Sequence, residues 1–120
     1  MKIMICGSMT FAKEMIKTKK KLEDLGYSVD VPVDIEAHIK NPNLIDDLNT
    51  DLKHSKKTNV LKACFSLVGK NDAILVLNYP KNNIDGYIGT SVLMEIGIAY
   101  CLGKKIFILN QKWAIPIAGI

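Results

Sequence analysis

Two consecutive stretches decide the fold: Ala73-Ile74-Leu75-Val76-Leu77, and, after a polar loop, Ile88-Gly89-Thr90-Ser91-Val92-Leu93-Met94-Glu95-Ile96-Gly97-Ile98-Ala99-Tyr100. The first is apolar without alternation and is opened by Asn71-Asp72, the pattern of a short strand buried on both faces. The second begins with glycine and hydroxyls and continues apolar, so it reads as a helix starting at that strand's C-terminal end. Its interior holds a single carboxylate, Glu95, on the second turn between Met94 and Ile96. A charge in that setting has two readings. It pairs with a lysine such as Lys104 or Lys105, or it faces a cleft and does chemistry.

The same alternation extends in both directions. Lys2 to Cys6 is an apolar run ending in Gly7-Ser8, a buried strand entering a turn. Thr10 is placed to cap a helix with Phe11, Met15, Leu22 and Leu25 on one stripe, and Gly26 stands where the helix end needs a left-handed residue. Ser28 to Val33 reads as a second strand, stopped by Pro32. Asp34 to Thr50 is polar and contains Asn41-Pro42-Asn43, which predicts a loop with a helical turn. From about Asp51 to Gly69 the spacing predicts a helix burying Val60, Leu61, Cys64, Phe65 and Val68. Gly103-Lys104-Lys105 then turns into a fourth strand, Ile106 to Leu109. Uniformly apolar strands alternating with helices indicate an α/β chain with a parallel sheet covered on both faces. Right-handed crossovers predict a flavodoxin-like, doubly wound sheet of order 2-1-3-4, with a possible fifth strand near Ile115 to Ile120.

Size and composition narrow the function. At 120 residues the chain is expected to be one domain, residues 1–120, and 48% of it is apolar. The apolar runs are about strand length, so no membrane span is expected. Met1-Lys2 leads straight into a strand rather than a secretory leader, so a cytoplasmic location is expected. Cys6, Cys64 and Cys101 lie among apolar neighbours, as buried reduced thiols do. His38 and His54 have no companions at ligand spacing, so neither metal nor cofactor is expected. All 16 basic residues are lysine and the net charge is only +4. Without arginine, the side chain suited to bidentate phosphate and base-edge contacts, nucleic-acid binding is not expected.

In doubly wound sheets the ligand lies beyond the C-terminal strand ends, where the order reverses between strands 1 and 3. Three segments converge there: Gly7-Ser8-Met9, the segment from Asn78 to Gly89, and the helix start with Thr90 and Ser91. Glu95 lies one turn further along. Gly7, Ser8, Met9, Asn78, Asp85, Gly89, Thr90 and Ser91 are therefore the candidate ligand contacts. Amides at a helix N-terminus favour an anion, and the small residues allow close approach. No GxGxxG or P-loop is present, so dinucleotide and nucleoside-triphosphatase readings lack their fingerprint.

Cys6-Gly7-Ser8 after strand 1, Asn71-Asp72 opening strand 3, and Glu95-Ile96-Gly97-Ile98-Ala99 on the following helix together resemble the nucleoside 2-deoxyribosyltransferase superfamily. That superfamily includes a branch of 2'-deoxynucleoside 5'-monophosphate N-glycosidases. The similarity runs from about Lys2 to Leu109. It implies that Glu95 is a nucleophile on the anomeric carbon and holds the deoxyribosyl group covalently until water or another base takes it, the two-step logic of retaining glycosidases. It further implies that Thr90 and Ser91 help hold a 5'-phosphate and that Gly7, Ser8 and Met9 line the sugar and base. A nucleoside or nucleotide is then the small-molecule partner. A homodimer or higher homo-oligomer is implied as well, with the apolar tail Ala114 to Ile120 expected to pack between subunits.

The chain departs from the family in two places. The family's helix aspartate, which assists protonation of the leaving base, falls on Cys64, eight residues before Asp72. The loop from Tyr79 to Ile88 is longer, and either Asp85 or Tyr87 is a candidate to replace that acid or to orient Glu95. Asp72 itself reads as mainly structural. Two alternatives to the enzyme stay open: a nucleotide-binding or sensing module on the same fold, and a scaffold that works through partners.

Overall fold

The computed structural model describes residues 1–41 and 58–112. The expected fifth strand and intersubunit tail, most of the loop expected to Thr50 and the start of the helix expected from about Asp51 lie outside them. The described part contains four strands, β1 Lys2–Cys6, β2 Ser28–Asp30, β3 Ala73–Val76 and β4 Lys105–Ile108. They form one parallel sheet in the order β2-β1-β3-β4. This is the flavodoxin-like, doubly wound order expected from the sequence. Four helices accompany it: α1 Ala12–Asp24, α2 Ile35–Lys40, α3 Thr58–Lys70 and α4 Thr90–Cys101. None is long and apolar enough to cross a membrane.

The apolar strands bury both faces because side chains alternate across a parallel sheet that has helices on each side. Met4 and Cys6 of β1 and Ile74 and Val76 of β3 point to one face, where they meet Cys64 and Val68 of α3 and Val92 and Ala99 of α4. Ile5 and Leu77 point to the other, against Ala12 and Met15 of α1 and Ile35 of α2. Full burial of side chains such as Met4, Met15 or Ile74 contributes about 1.5–3 kcal/mol each. β4, at the sheet's edge, is only half-buried, and Phe107 and Leu109 are exposed.

Local chemistry sets the boundaries. Ser8 caps a single 3-10 turn, Met9–Phe11, by accepting from the Thr10 amide, so the cap lies two residues earlier than the sequence suggested. Gly26, at φ +97°, ends α1 while the Gly26 and Tyr27 amides donate to Glu23 and Leu22. At the amino edge of the sheet, Asp72 Oδ2 accepts from the Lys2 amide at 2.8 Å. That bond, followed by the nearby N-terminal and lysine charges, holds the Asp72 carboxyl below the usual carboxylate range. Asp72 is thus placed at the end of the sheet remote from the crevice, as a structural reading requires.

Candidate active site

A cavity of about 180 Å³ opens at the carboxyl rim of the sheet, where β1 and β3 diverge to opposite crossovers. It exceeds the ~150 Å³ engineered cavity that accommodates benzene, so a five-membered sugar fits inside it. Gly7, Ser8 and Met9 form its floor, and Gly89, Thr90, Ser91 and Val92 bring the start of α4 to one side. Val60, Leu61, Cys64 and Phe65 of α3 supply an apolar wall. Pro32 and Asp34, from the segment after β2, also line the cavity.

Glu95 reaches this cavity from the second turn of α4 and is only 6% exposed. Cys6, the last residue of β1, donates its Sγ–H to Glu95 Oε2 at 3.4 Å. Burial pushes the Cys6 thiol well up, and the Glu95 charge, the shared hydrogen bond and Cys64 push it further in the same direction. The thiol therefore stays protonated and serves as a donor beneath the carboxylate. Lys104 and Lys105 stand at the other end of α4, next to the amino edge where Lys105 pairs with Ala73. Glu95 is thus placed on the cavity lining.

The floor is shaped by what Gly7 lacks. A Cβ at that position would lie 2.9 Å from the Leu77 carbonyl oxygen and 3.1 Å from Met15 Cε. Only glycine lets β1 turn out over β3 this closely. At the mouth, Asn82 and Asn83 adopt φ of 53° and 61° between the mutually hydrogen-bonded Lys81 and Ile84, a tight turn of the primed type. The turn directs Lys81 inward. Its Nζ donates to Ser8 Oγ at 2.8 Å and lies 5.0 Å from the centre of the Tyr87 ring.

This ammonium shares the cavity with the N-terminus of α4. Gly89 occupies the capping position there, with no side chain to accept from the first amides, and the first turn carries no acidic residue. Partial positive charge from the helix and a full charge from Lys81 thus meet in one corner, beside the hydroxyls of Ser8, Thr90 and Ser91. That corner suits an anion. Glu95, a buried residue, lines the same cavity.

Of the nine residues singled out from sequence, seven line the cavity: Gly7, Ser8, Met9, Gly89, Thr90, Ser91 and Glu95. Two do not. Asn78 is fully buried, its amide donating to the Asn110 carbonyl at 3.0 Å and its Oδ1 accepting from the Asn110 amide at 2.7 Å. It continues the pairing of β3 with β4 through a side chain, which is a structural task. Asp85 is exposed on the loop beyond the Lys81 turn and does not reach the cavity. Sequence reading also passed over Lys81 and Asp34. The Asn82-Asn83 pair, two residues tolerant of positive φ, was the available signal for the first.

No family model matches this chain, and no curated protein sequence matches it. Among solved structures it is similar to a 2-deoxyribosyltransferase from the psychrotolerant bacterium Bacillus psychrosaccharolyticus, at 22% identity and a TM-score of 0.56. The match covers all of this chain and 76% of that one. The two proteins share the fold.

Proposed function

We propose that this protein cleaves or transfers the N-glycosidic bond of a 2'-deoxynucleoside 5'-monophosphate, with the nucleoside itself a poorer substrate. The observation that carries this reading is the placement of Glu95: a buried carboxylate in a sugar-sized cavity at the switch point, held from below by a protonated thiol. A carboxylate oxygen attacks C1', the bond to the base breaks, and the deoxyribosyl group stays on Glu95 as an ester. Water or a second base then displaces the carboxylate. Splitting one displacement into two is the contribution of such a nucleophile.

The anionic corner supports the phosphate. Lys81, the Thr90 and Ser91 amides and the adjoining hydroxyls offer charge-assisted donors to a 5'-phosphate at one end of the sugar. Pro32, Leu61 and Phe65 offer apolar surface to a flat base at the other. The similarity of fold to a 2-deoxyribosyltransferase agrees with this chemistry. A homodimer belongs to the same proposal, and a strictly monomeric species in light scattering at high concentration counts against it.

The test is incubation with each deoxynucleoside and its 5'-monophosphate, following free base by chromatography. Release that is lost in Glu95→Ala supports the reading, and Lys81→Met lowers kcat/KM for the monophosphates more than for the nucleosides. A second reading, a nucleotide sensor without turnover, draws on Cys64 standing where the family resemblance places an acid. Binding of monophosphates without any base release would establish it instead.

A further inference from the structure

Breaking a glycosidic bond to a base requires a proton for the departing nitrogen heterocycle, and Cys64 on α3 cannot supply it. Another residue of the cavity lining can. Asp34 lines the cavity, and its Oδ2 lies 3.1 Å from Nε2 of His38, one helical turn further on. The His38 side chain is 7% exposed and that of Asp34 is 25% exposed. The pair therefore has one member sealed in the protein and one at the cavity surface.

The orientation of Asp34 is not explained by the helix it precedes. It occupies the N-cap position of α2, where an aspartate ordinarily accepts hydrogen bonds from the first amides. Its side chain makes no capping bond. The carboxyl group is engaged instead with His38, in a residue that lines the cavity. Asp34 shares the cavity lining with Pro32, Leu61 and Phe65, the apolar residues offered above to the base.

We propose that Asp34, backed by His38, is the acid–base group of the glycosidic reaction, an inference that rests on the function proposed above. In the first step a Glu95 oxygen forms a bond to C1', and the C1'–N bond breaks with its electron pair passing to the base. The dissociable proton shared by Asp34 and His38 moves to the base, which leaves neutral. The pair is then one proton short. In the second step water attacks C1', the C1'–O bond to Glu95 breaks with its electrons returning to the carboxylate, and the water's proton restores the pair. Water and nucleotide are consumed, base and sugar phosphate are released, and the enzyme is unchanged.

A leaving group that needs no proton tests this directly. The best-cleaved substrate is compared with an analogue carrying a better leaving base, N7-methylated for a purine or 5-fluorinated for a pyrimidine. In Asp34→Asn, kcat for the ordinary substrate falls by roughly 10²- to 10⁴-fold, while the activated analogue loses far less, about tenfold or under. His38→Gln shows the same selectivity with a smaller fall. Glu95→Gln loses both substrates together. If Asp34→Asn depresses both substrates equally, or neither, the pair is not the acid and the inference fails while the glycosidic reading stands. If the unaltered protein releases base from neither substrate, the glycosidic reading fails and this inference with it.

Discussion

Replacing Cys6 by alanine removes the donor beneath Glu95 and little else that faces the cavity. The Sγ···Oε2 separation is 3.4 Å and both residues are buried, so water does not readily take the donor's place. Hydrogen bonds to charged groups contribute about 1.5–3 kcal/mol, and a thiol, as a weak donor, belongs at or below the lower end. Taking about 1–1.5 kcal/mol, the loss disfavours the charged carboxylate of Glu95. The acidic limb of kcat/KM for base release then moves to higher pH. On the limb the variant is about tenfold slower, and well above it the two proteins converge. Removing the sulfur from a packed site also costs about 1–2 kcal/mol of stability, so the melting temperature is measured alongside. The assay is a pH profile of base release for both proteins, with Cys6→Ser as the variant that keeps a donor. A folded Cys6→Ala protein whose acidic limb coincides with the parent's refutes the role given to the thiol.

Three further outcomes follow from the packing. Gly7→Ala sets a Cβ against the Leu77 carbonyl, a backbone atom that cannot move aside cheaply, so stability falls by about 1–3 kcal/mol in denaturant titration; an unchanged midpoint contradicts the close approach. Asn78→Ala removes both side-chain bonds to Asn110 from a fully buried position and lowers stability by about 2–4 kcal/mol, whereas Asp85→Ala leaves it within about 0.5 kcal/mol; equal effects would contradict their different placements. The Cys6 thiol also gives an alkaline signature. Its folded-state pKa lies above the ordinary value of 9.0, so above that pH the folded chain holds a proton that the unfolded chain releases. Its contribution is complete below the unfolded pKa and is lost as pH rises, with a slope of at most about 1.4 kcal/mol per pH unit. Urea midpoints at neutral pH and near pH 10 measure that fall, and Cys6→Ala shows a shallower one. Parallel falls in the two proteins would sink the assignment.

The Glu95 site combines two economies of the fold. The strand order reverses between β1 and β3, so the crevice exists before any side chain is specified. The first residues after β1 and the first turns of α4 then fall at its floor and flank, where short side chains leave room and helix amides remain open to a ligand. Fold alone does not choose the chemistry. On the function and the acid–base pair proposed above, that choice lies with Glu95, Lys81 and Asp34, and each can be substituted separately.

The sequence by itself determined the layers, the strand order and the position of Glu95. Those properties depend on residues close together in the chain. An unbroken apolar run such as Ala73 to Val76 has to be buried on both faces, short right-handed crossovers leave few orders, and Gly26 marks a helix end wherever it stands. What only the tertiary structure decided is which polar groups meet. Cys6 and Glu95 are 89 residues apart, Ser8 and Lys81 73 apart, and neither pairing leaves a periodic trace. Asn78 and Asp85 resembled ligand contacts because they lie on the right loop, yet one turns inward to Asn110 and the other outward to solvent. Asp34 lies in a stretch read from sequence only as a polar loop, yet the structure pairs its carboxyl group with His38 and sets the residue on the cavity lining. Side-chain direction after a turn is set by backbone torsions and by packing against distant elements, and the linear order of residues does not specify either.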